Sequence, residues 1–406
     1  MANRPQLSVA TYSKGTYILI EGKKDTDKFF IIREGQVQLS KSTEVINEGS
    51  FNTLAPGDFF GVVAAMSGHS EIESAQALTD VVALCVPRSE FEGLIQFNTP
   101  VAIKIIQQFS RRMRFLNDAL TKITLHSGNA NDLNVLFKIA EYYKKNSLNT
   151  QAFYAFKRYC ECYPSGAFIT QAKEKVASLK DFSTPSFTSD KSPFLRTYKA
   201  GSIVFAEGET GEDLFILQAG SVKITKIIDG TEVILAILKS GDIFGEMALL
   251  ESKPRSATAI AQEQSVLMLV QKNNFEGMAA TQPQIIRRLT KLLSERIWFS
   301  YKQLSNALIQ DPVARSFDTL IINIEKNNVN TASDAAYDFP FGPEELLKMS
   351  NVPMAESRTT LTKMMSNPVF SIKNNKIHIA NIAELAKICE FNKNMIARSA
   401  AMKKKQ

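Results

Sequence analysis

The chain has 406 residues, 44% hydrophobic and 22% charged, with a formal net charge of +7, so it exceeds one ordinary core and calls for two to four domains. It contains no run of eighteen apolar residues, and its start, MANRPQLSVATYSKG, lacks the basic-then-apolar layout of a secretion signal; no membrane contact is expected, and the expected location is the cytoplasm. Cys85, Cys160, Cys162 and Cys389 make neither a disulfide framework nor a paired zinc pattern, so no metal is expected and Cys160 with Cys162 reads as a reduced, packed pair.

Residues 12–61 and 198–245 form an internal repeat. YSKGTYILIEG aligns with YKAGSIVFAEG, DKFFIIREGQVQLSK with EDLFILQAGSVKITK, and LAPGDFFG with LKSGDIFG. Both copies read as short alternating strands broken by glycine turns, an antiparallel roll used twice. Between them, Val101, Ile105, Phe109, Met113, Leu116, Leu120 and Ile123 fall on one helical stripe. After Ser127-Gly128-Asn129, residues 131–180 have the layout of one tetratricopeptide-like helix–turn–helix plus a following helix, with Leu136, Ala140, Tyr143, Ala152, Phe156 and Pro164 at knob, hole and terminator positions. An ordinary helical spacer accounts for that stretch equally well; as a repeat it must lean on a neighbour or a protein partner. Residues 181–193, rich in Ser, Thr and Pro, read as a linker.

In the second roll the segment GDIFGEMALLESKPRSAT, residues 241–258, carries the chemistry of a phosphate-ester site. Gly245 lets backbone approach a ligand, and amides near Ala248 and Leu249 stand at the positive start of a helical turn. Arg255 offers a planar fork for two phosphate oxygens, and Glu246 an acceptor for a sugar hydroxyl. The segment resembles the phosphate-binding cassette of the cyclic nucleotide-binding domain family, shared by the bacterial cAMP receptor protein and kinase regulatory subunits. The resemblance implies that Glu246 takes the ribose 2′-hydroxyl and Arg255 the cyclic phosphate, with Gly245, Ala248, Leu249 and Ser256 supplying the other polar contacts. The first copy reads FGVVAAMSGHSEIESAQA, with Val62 in place of Glu246 and Glu71 or Glu73 near the place of Arg255. A carboxylate facing a phosphate repels it, so that copy is expected to be a structural or docking module, with a different ligand as the alternative.

Past the second roll, Ile286, Leu289, Leu293, Ile297, Leu304 and Leu308 make a helical seam opened by Pro283. In the receptor family the corresponding helix carries the dimer seam and closes over the base; by that resemblance Ser300 meets the adenine and Trp298, Phe299 or Tyr301 forms an apolar lid. cAMP is the preferred ligand, with cGMP open. DPVAR, residues 311–315, and the SFDTLIINIEKN that follows resemble the hinge and helix entering the same family's DNA-binding domain. FGPEELLKMSNVPMAESRTTLTKMMSN then reads as two helices and a tight turn, with Asn351 at the left-handed position, and VFSIKNNKIHIAN as a hairpin wing tipped by Asn374-Asn375. Leu346, Leu347 and Met349 are expected to pack the first of these helices, and Leu361, Met364 and Met365 the second. Ser357, Arg358, Thr359 and Lys363 on the second helix, with Lys373 and Lys376 on the wing, are the candidate DNA contacts. Residues 351–406 hold ten Lys/Arg against Glu356, Glu384 and Glu390, an excess of seven that equals the whole chain's. Such an end suits a polyanion, although Lys403 to Lys405 read equally as a solvated tail.

The expected class is an α+β multidomain chain: a degenerate roll with its helix (1–125), a tetratricopeptide-like segment (130–180), a linker (181–193), a second jelly-roll domain with a long helix (194–310) and a winged helix-turn-helix (311–406). The expected function is a cyclic-nucleotide-responsive transcription regulator that binds DNA, as a homodimer or as an intrachain pseudo-dimer with a single DNA foot. The alternative is a nucleotide receptor that docks proteins through residues 131–180. His69, His126 and His378 lie in different modules with no nucleophile or metal cluster around them, so no catalysis is expected.

Overall fold

Among the described residues, alternating apolar and polar residues between glycine turns build two rolls with eight strands in each. The computed structural model describes residues 6–24, 27–41, 52–125, 134–189, 192, 194–228, 230–246 and 253–403. The first roll contains β1 (Ser8–Tyr12), β2 (Tyr17–Leu19), β3 (Lys28–Glu34), β4 (Val37–Ser40), β5 (Thr53–Leu54), β6 (Phe59–Phe60), β7 (Ser74–Ala77) and β8 (Val81–Pro87). The second contains β9 (Leu195–Tyr198), β10 (Ile203–Phe205), β11 (Asp213–Ala219), β12 (Ser221–Ile228), β13 (Thr231–Lys239), β14 (Ile243–Phe244), β15 (Thr258–Ala261) and β16 (Ser265–Gln271). The first folds as sheets β1-β8-β3-β6 and β2-β7-β4-β5, the second as β9-β16-β11-β14 and β10-β15-β12-β13, so every strand number rises by eight. All these pairings are antiparallel, and the repeat is one topology used twice. The matching turn glycines Gly35 and Gly220 share φ values of +87° and +86°, and a Cβ on either would run into a carbonyl, of Asp80 or Gln264, so no other residue fits.

Short helix α1 (Val62–Ser67) interrupts the first roll; α2 (Phe91–Phe97) and the 27-residue α3 (Thr99–Leu125) follow it. Helices α4 (Val135–Lys145), α5 (Asn149–Cys162) and α6 (Ile169–Ser178) come next, and after the second roll α7 (Lys272–Thr281) and α8 (Pro283–Ala307). Ile105, Phe109, Met113 and Leu116 of α3 share one core with Ile286, Leu289, Leu293 and Ile297 of α8, and the core runs on into both rolls. The seam helix therefore finds its partner inside the same chain, and its buried stripe stops at Leu304: Leu308, expected within it, is 38% exposed at the helix end.

Leu136, Ala140, Tyr143, Ala152 and Phe156 close a helical core that leans on Ile203, Ala206 and Ile260 of the second roll. One apolar face of α4–α6 is thereby used up by a neighbour within the chain. The last unit holds α9 (Pro312–Lys326), α10 (Pro343–Met349), α11 (Met354–Met365), α12 (Ile382–Lys403) and the sheet β17 (Tyr337–Asp338), β19 (Lys376–Ile379), β18 (Phe370–Lys373) in that order. Asp311 caps α9 by accepting from the Ala314 amide at 3.0 Å. Asn351 takes φ +50° between α10 and α11, and Asn374 and Asn375 take +49° and +58° at the hairpin tip, as the turns require. Leu346, Leu347 and Met364 are buried, but Met349 and Met365 are 41% and 58% exposed because α10 and α11 turn only one side to the core.

Candidate functional site

Gly245 follows β14 at φ +80°, and the chain returns through Pro254 and Arg255 to β15. Arg255 is pinned on both backbone sides: its amide donates to the Glu209 carbonyl and its carbonyl accepts from Gly208, each at 2.9 Å. The guanidinium turns inward, lies 4.3 Å over the Phe205 ring and donates from Nη1 to the Gly245 carbonyl at 2.6 Å. Arg255 is 5% exposed, and its Nε finds no acceptor among the described residues. Burial lowers its pKa, while Glu209, Asp213 and Glu246 pull it back up. A Cβ on Gly211 or on Gly245 would each lie 2.7 Å from a guanidinium nitrogen, so these two glycines clear the slot that Arg255 fills.

Glu246 is 2% exposed, and its Oε1 stands 3.4 Å from Nη1 of Arg296 on α8. The structure thus brings Gly245, Glu246 and Arg255 to one corner of the roll, with Ser256 next in chain. Ala248 and Leu249 lie outside the described residues. Several residues of the same corner escaped the sequence reading. Glu209 accepts from Tyr154 Oη and from the Ala206 amide, both at 3.0 Å, and pairs with Arg158 at 2.9 Å. Tyr163 Oη donates to the Gly208 carbonyl at 2.6 Å. Helix α5 is in this way tied to the loop that fixes Arg255, and the one available signal was the loop string AEGETGED with its four acids, Glu207, Glu209, Glu212 and Asp213.

Ser300 is placed elsewhere. It is buried in the α3–α8 seam with its Oγ 4.0 Å from Met113 Sδ, so the adenine contact expected of it in the second roll is not what this geometry provides. Trp298 stacks on His69 of the first roll with ring centroids 4.1 Å apart, and Tyr301 lies under Lys41 Nζ at 4.6 Å. Phe299 lies under Lys326 Nζ at 4.1 Å. The reason is the crossing of the helices: α8 reaches over the first roll, while α3 reaches the second, where Arg114 Nη1 donates to the Pro254 carbonyl at 3.2 Å. Each long helix therefore touches both rolls, since Arg296 of α8 also meets Glu246 and Arg112 of α3 also holds Glu73.

The first roll settles the ambiguous alignment. Glu71 donates its amide to the Lys23 carbonyl and accepts from the Gly22 amide, both at 2.8 Å, the same pair of bonds that Arg255 makes with Glu209 and Gly208. A Cβ on Gly61 would lie 3.7 Å from Glu71 Oε1 and 2.9 Å from Leu19, which stands where Phe205 stands. Glu71 therefore occupies the guanidinium's place and Val62 that of Glu246.

In the last unit Arg358, Thr359 and Lys363 are exposed on α11, opposite buried Thr360 and Met364. Ser357 is half-buried and its Oγ donates to the Pro353 carbonyl at 3.1 Å. Lys373 and Lys376 are exposed cross-strand partners at the hairpin tip. Arg315 donates to the carbonyls of Ile309 at 2.9 Å, Ser350 at 2.6 Å and Asn351 at 3.1 Å, so it ties the segment after α8 to the α10–α11 turn. Among the described residues no cluster of His, Cys, Asp or Glu could hold a metal, and no helix is long and apolar enough to cross a membrane.

Residues 9–98 and 195–282 each match the family model for the cyclic nucleotide-binding domain. The chain is 32% identical over 103 residues, 25% of its length, to the cyclic AMP receptor protein of Thermus thermophilus. It is 27% identical over 173 residues, 42% of its length, to a CRP-like cAMP-activated global transcriptional regulator of Mycobacterium tuberculosis. It is also 24% identical over 275 residues, 68% of its length, to a cAMP-dependent protein kinase regulatory subunit of Eremothecium gossypii. The matched stretches span 48%, 75% and 44% of those three proteins.

Proposed function

We propose that this chain, in which the cyclic nucleotide-binding domain occurs twice, senses a cyclic nucleotide with its second copy and acts on DNA through its C-terminal unit. The observation that carries the reading is a buried guanidinium with an unanswered Nε donor, set beside the buried carboxylate of Glu246. Desolvated charge of this kind is costly unless an anion completes it. A cyclic phosphate that takes the place of the Gly245 carbonyl on Nη1 also answers Nε, and Glu246 then accepts from a ribose hydroxyl. The names of the similar receptor and regulators favour cAMP as that nucleotide; cGMP shares the phosphate and ribose and is the control.

The output passes along α8, whose end is clamped to the α10–α11 turn by Arg315. The exposure of Arg358, Thr359 and Lys363 on α11 and of Lys373 and Lys376 at the hairpin tip supports this reading, in which the helix meets base edges and the hairpin phosphate. A receptor that acts on a protein is the second reading, favoured by Met354 at 95% and Met365 at 58% exposure on α11, apolar surface that a DNA-reading helix does not need.

Calorimetric titration with cAMP and cGMP tests the sensing step. Arg255→Ala is expected to weaken binding by about 1.5–3 kcal/mol, the worth of a charge-assisted contact. Unchanged affinity removes the site. A gel shift with random duplex fragments tests the output: binding is expected to weaken with salt and to vanish on truncation after Gln310. A full chain that shifts no DNA at low salt favours the protein-docking reading.

A further inference from the structure

The carboxylate with the strongest hold on Arg255 is kept from pairing with it. Burial lowers the Arg255 pKa, and of the acids that raise it again Glu209 acts most strongly, ahead of Asp213 and Glu246. The guanidinium nevertheless takes a neutral acceptor, the Gly245 carbonyl, and its Nε has none among the described residues. Glu209, 7% exposed, is turned to other donors. Its Oε1 pairs with Arg158 Nη2 at 2.9 Å, and its Oε2 accepts from Tyr154 Oη and from the Ala206 amide, each at 3.0 Å. Two of these three donors belong to α5, where Glu161 fixes Arg158 in turn. In the first roll the residue matching Glu209 is Lys23, which follows Gly22 as Glu209 follows Gly208, and it is exposed. A buried acid at this place thus goes with α5 and not with the roll itself.

On the reading that the second roll takes a cyclic phosphate, we propose that Arg158 and Tyr154 are positioning residues for that anion, holding Glu209 off the Arg255 guanidinium. A buried carboxylate deprived of its cation is strongly unfavourable and turns to whatever cation lies near. Lys226, on the neighbouring strand β12, is already paired with Glu207 at 3.1 Å. Arg255 has the unanswered donor. Glu209, once released, occupies it and competes with phosphate for the same fork. The α4–α6 segment therefore sets the nucleotide affinity of the roll on which it leans.

Calorimetric titration of cAMP into the full chain is the test. Arg158→Ala is expected to weaken binding about tenfold, and Tyr154→Phe, which keeps the ring, about threefold. Arg158→Lys keeps the charge and is expected to retain most of the affinity. Adding Glu209→Gln to either of the first two variants is expected to recover most of the loss, because an amide there offers the guanidinium no charge. A brace acting by packing alone leaves each double variant as weak as its single parent. That result overturns the proposal, as does wild-type affinity in both single variants. If the wild type binds cAMP and Arg255→Ala binds it more weakly, either outcome keeps the site and removes only the role of α5. A wild type that binds neither cAMP nor cGMP removes both.

Discussion

Gly211 and Gly245 hold Arg255 between them, and their lack of a side chain is what lets a guanidinium lie flat on Phe205. Gly211→Ala is expected to push that group out of its slot, lowering cyclic nucleotide affinity tenfold or more in calorimetry while the melting temperature changes by only a few degrees. Glu71, in the matching place of the first roll, makes stability depend on pH in a definite sense. Its folded pKa of about 8 exceeds the ordinary 4.5, so the folded state holds a proton that the unfolded chain releases. Its contribution is complete below pH 4.5 and drains away as pH rises toward 8, at up to about 1.4 kcal/mol per pH unit. Urea unfolding at pH 5 and pH 8 is expected to show that loss in the wild type and a flatter response in Glu71→Gln; equal slopes in the two proteins contradict it. Glu209 was readable as an acid in a turn, but its role under Tyr154 and Arg158 was not, because those partners come from α5, some fifty residues earlier.

At the scale of elements, α3 and α8 tie the two rolls together. Leu293, fully buried between them, is expected to cost about 2–5 kcal/mol on replacement by alanine, and both rolls should lose stability in the same urea transition. Separate transitions, with the first roll untouched, would show that the seam is not shared. The stripes on both helices were legible from their spacing alone. Their mutual pairing was not, since an apolar stripe states that something covers it and is silent on what. Arg315 is a second joint: Arg315→Ala is expected to keep nucleotide affinity and to abolish its effect on DNA binding, measured as the difference in gel-shift affinity with and without cAMP.

For the whole molecule, the seam that a homodimer would use is occupied within one chain. Sedimentation is therefore expected to give a species near 45.1 kDa, both with and without cAMP, and DNA protection is expected over a single half-site. A stable species of twice that mass would require a second interface. The same intrachain crossing explains why Trp298 sits at the first roll and Ser300 in the seam against α3: α8 reaches past its own roll to the other half.

The sequence by itself determined the duplicated roll, the corner formed by Gly245, Glu246 and Arg255, and two helices with a tight turn followed by a hairpin near residues 343–379. Each of these rests on local signals: glycine where φ is positive, strand alternation, and charge types at fixed spacing within a few residues. The tertiary structure alone decided that Glu71 and not Glu73 replaces the guanidinium, that α5 braces the site, and that each long helix reaches the opposite roll as well as its own. Those facts depend on contacts between residues far apart in the chain, and a burial pattern marks the face to be covered without naming the surface that covers it.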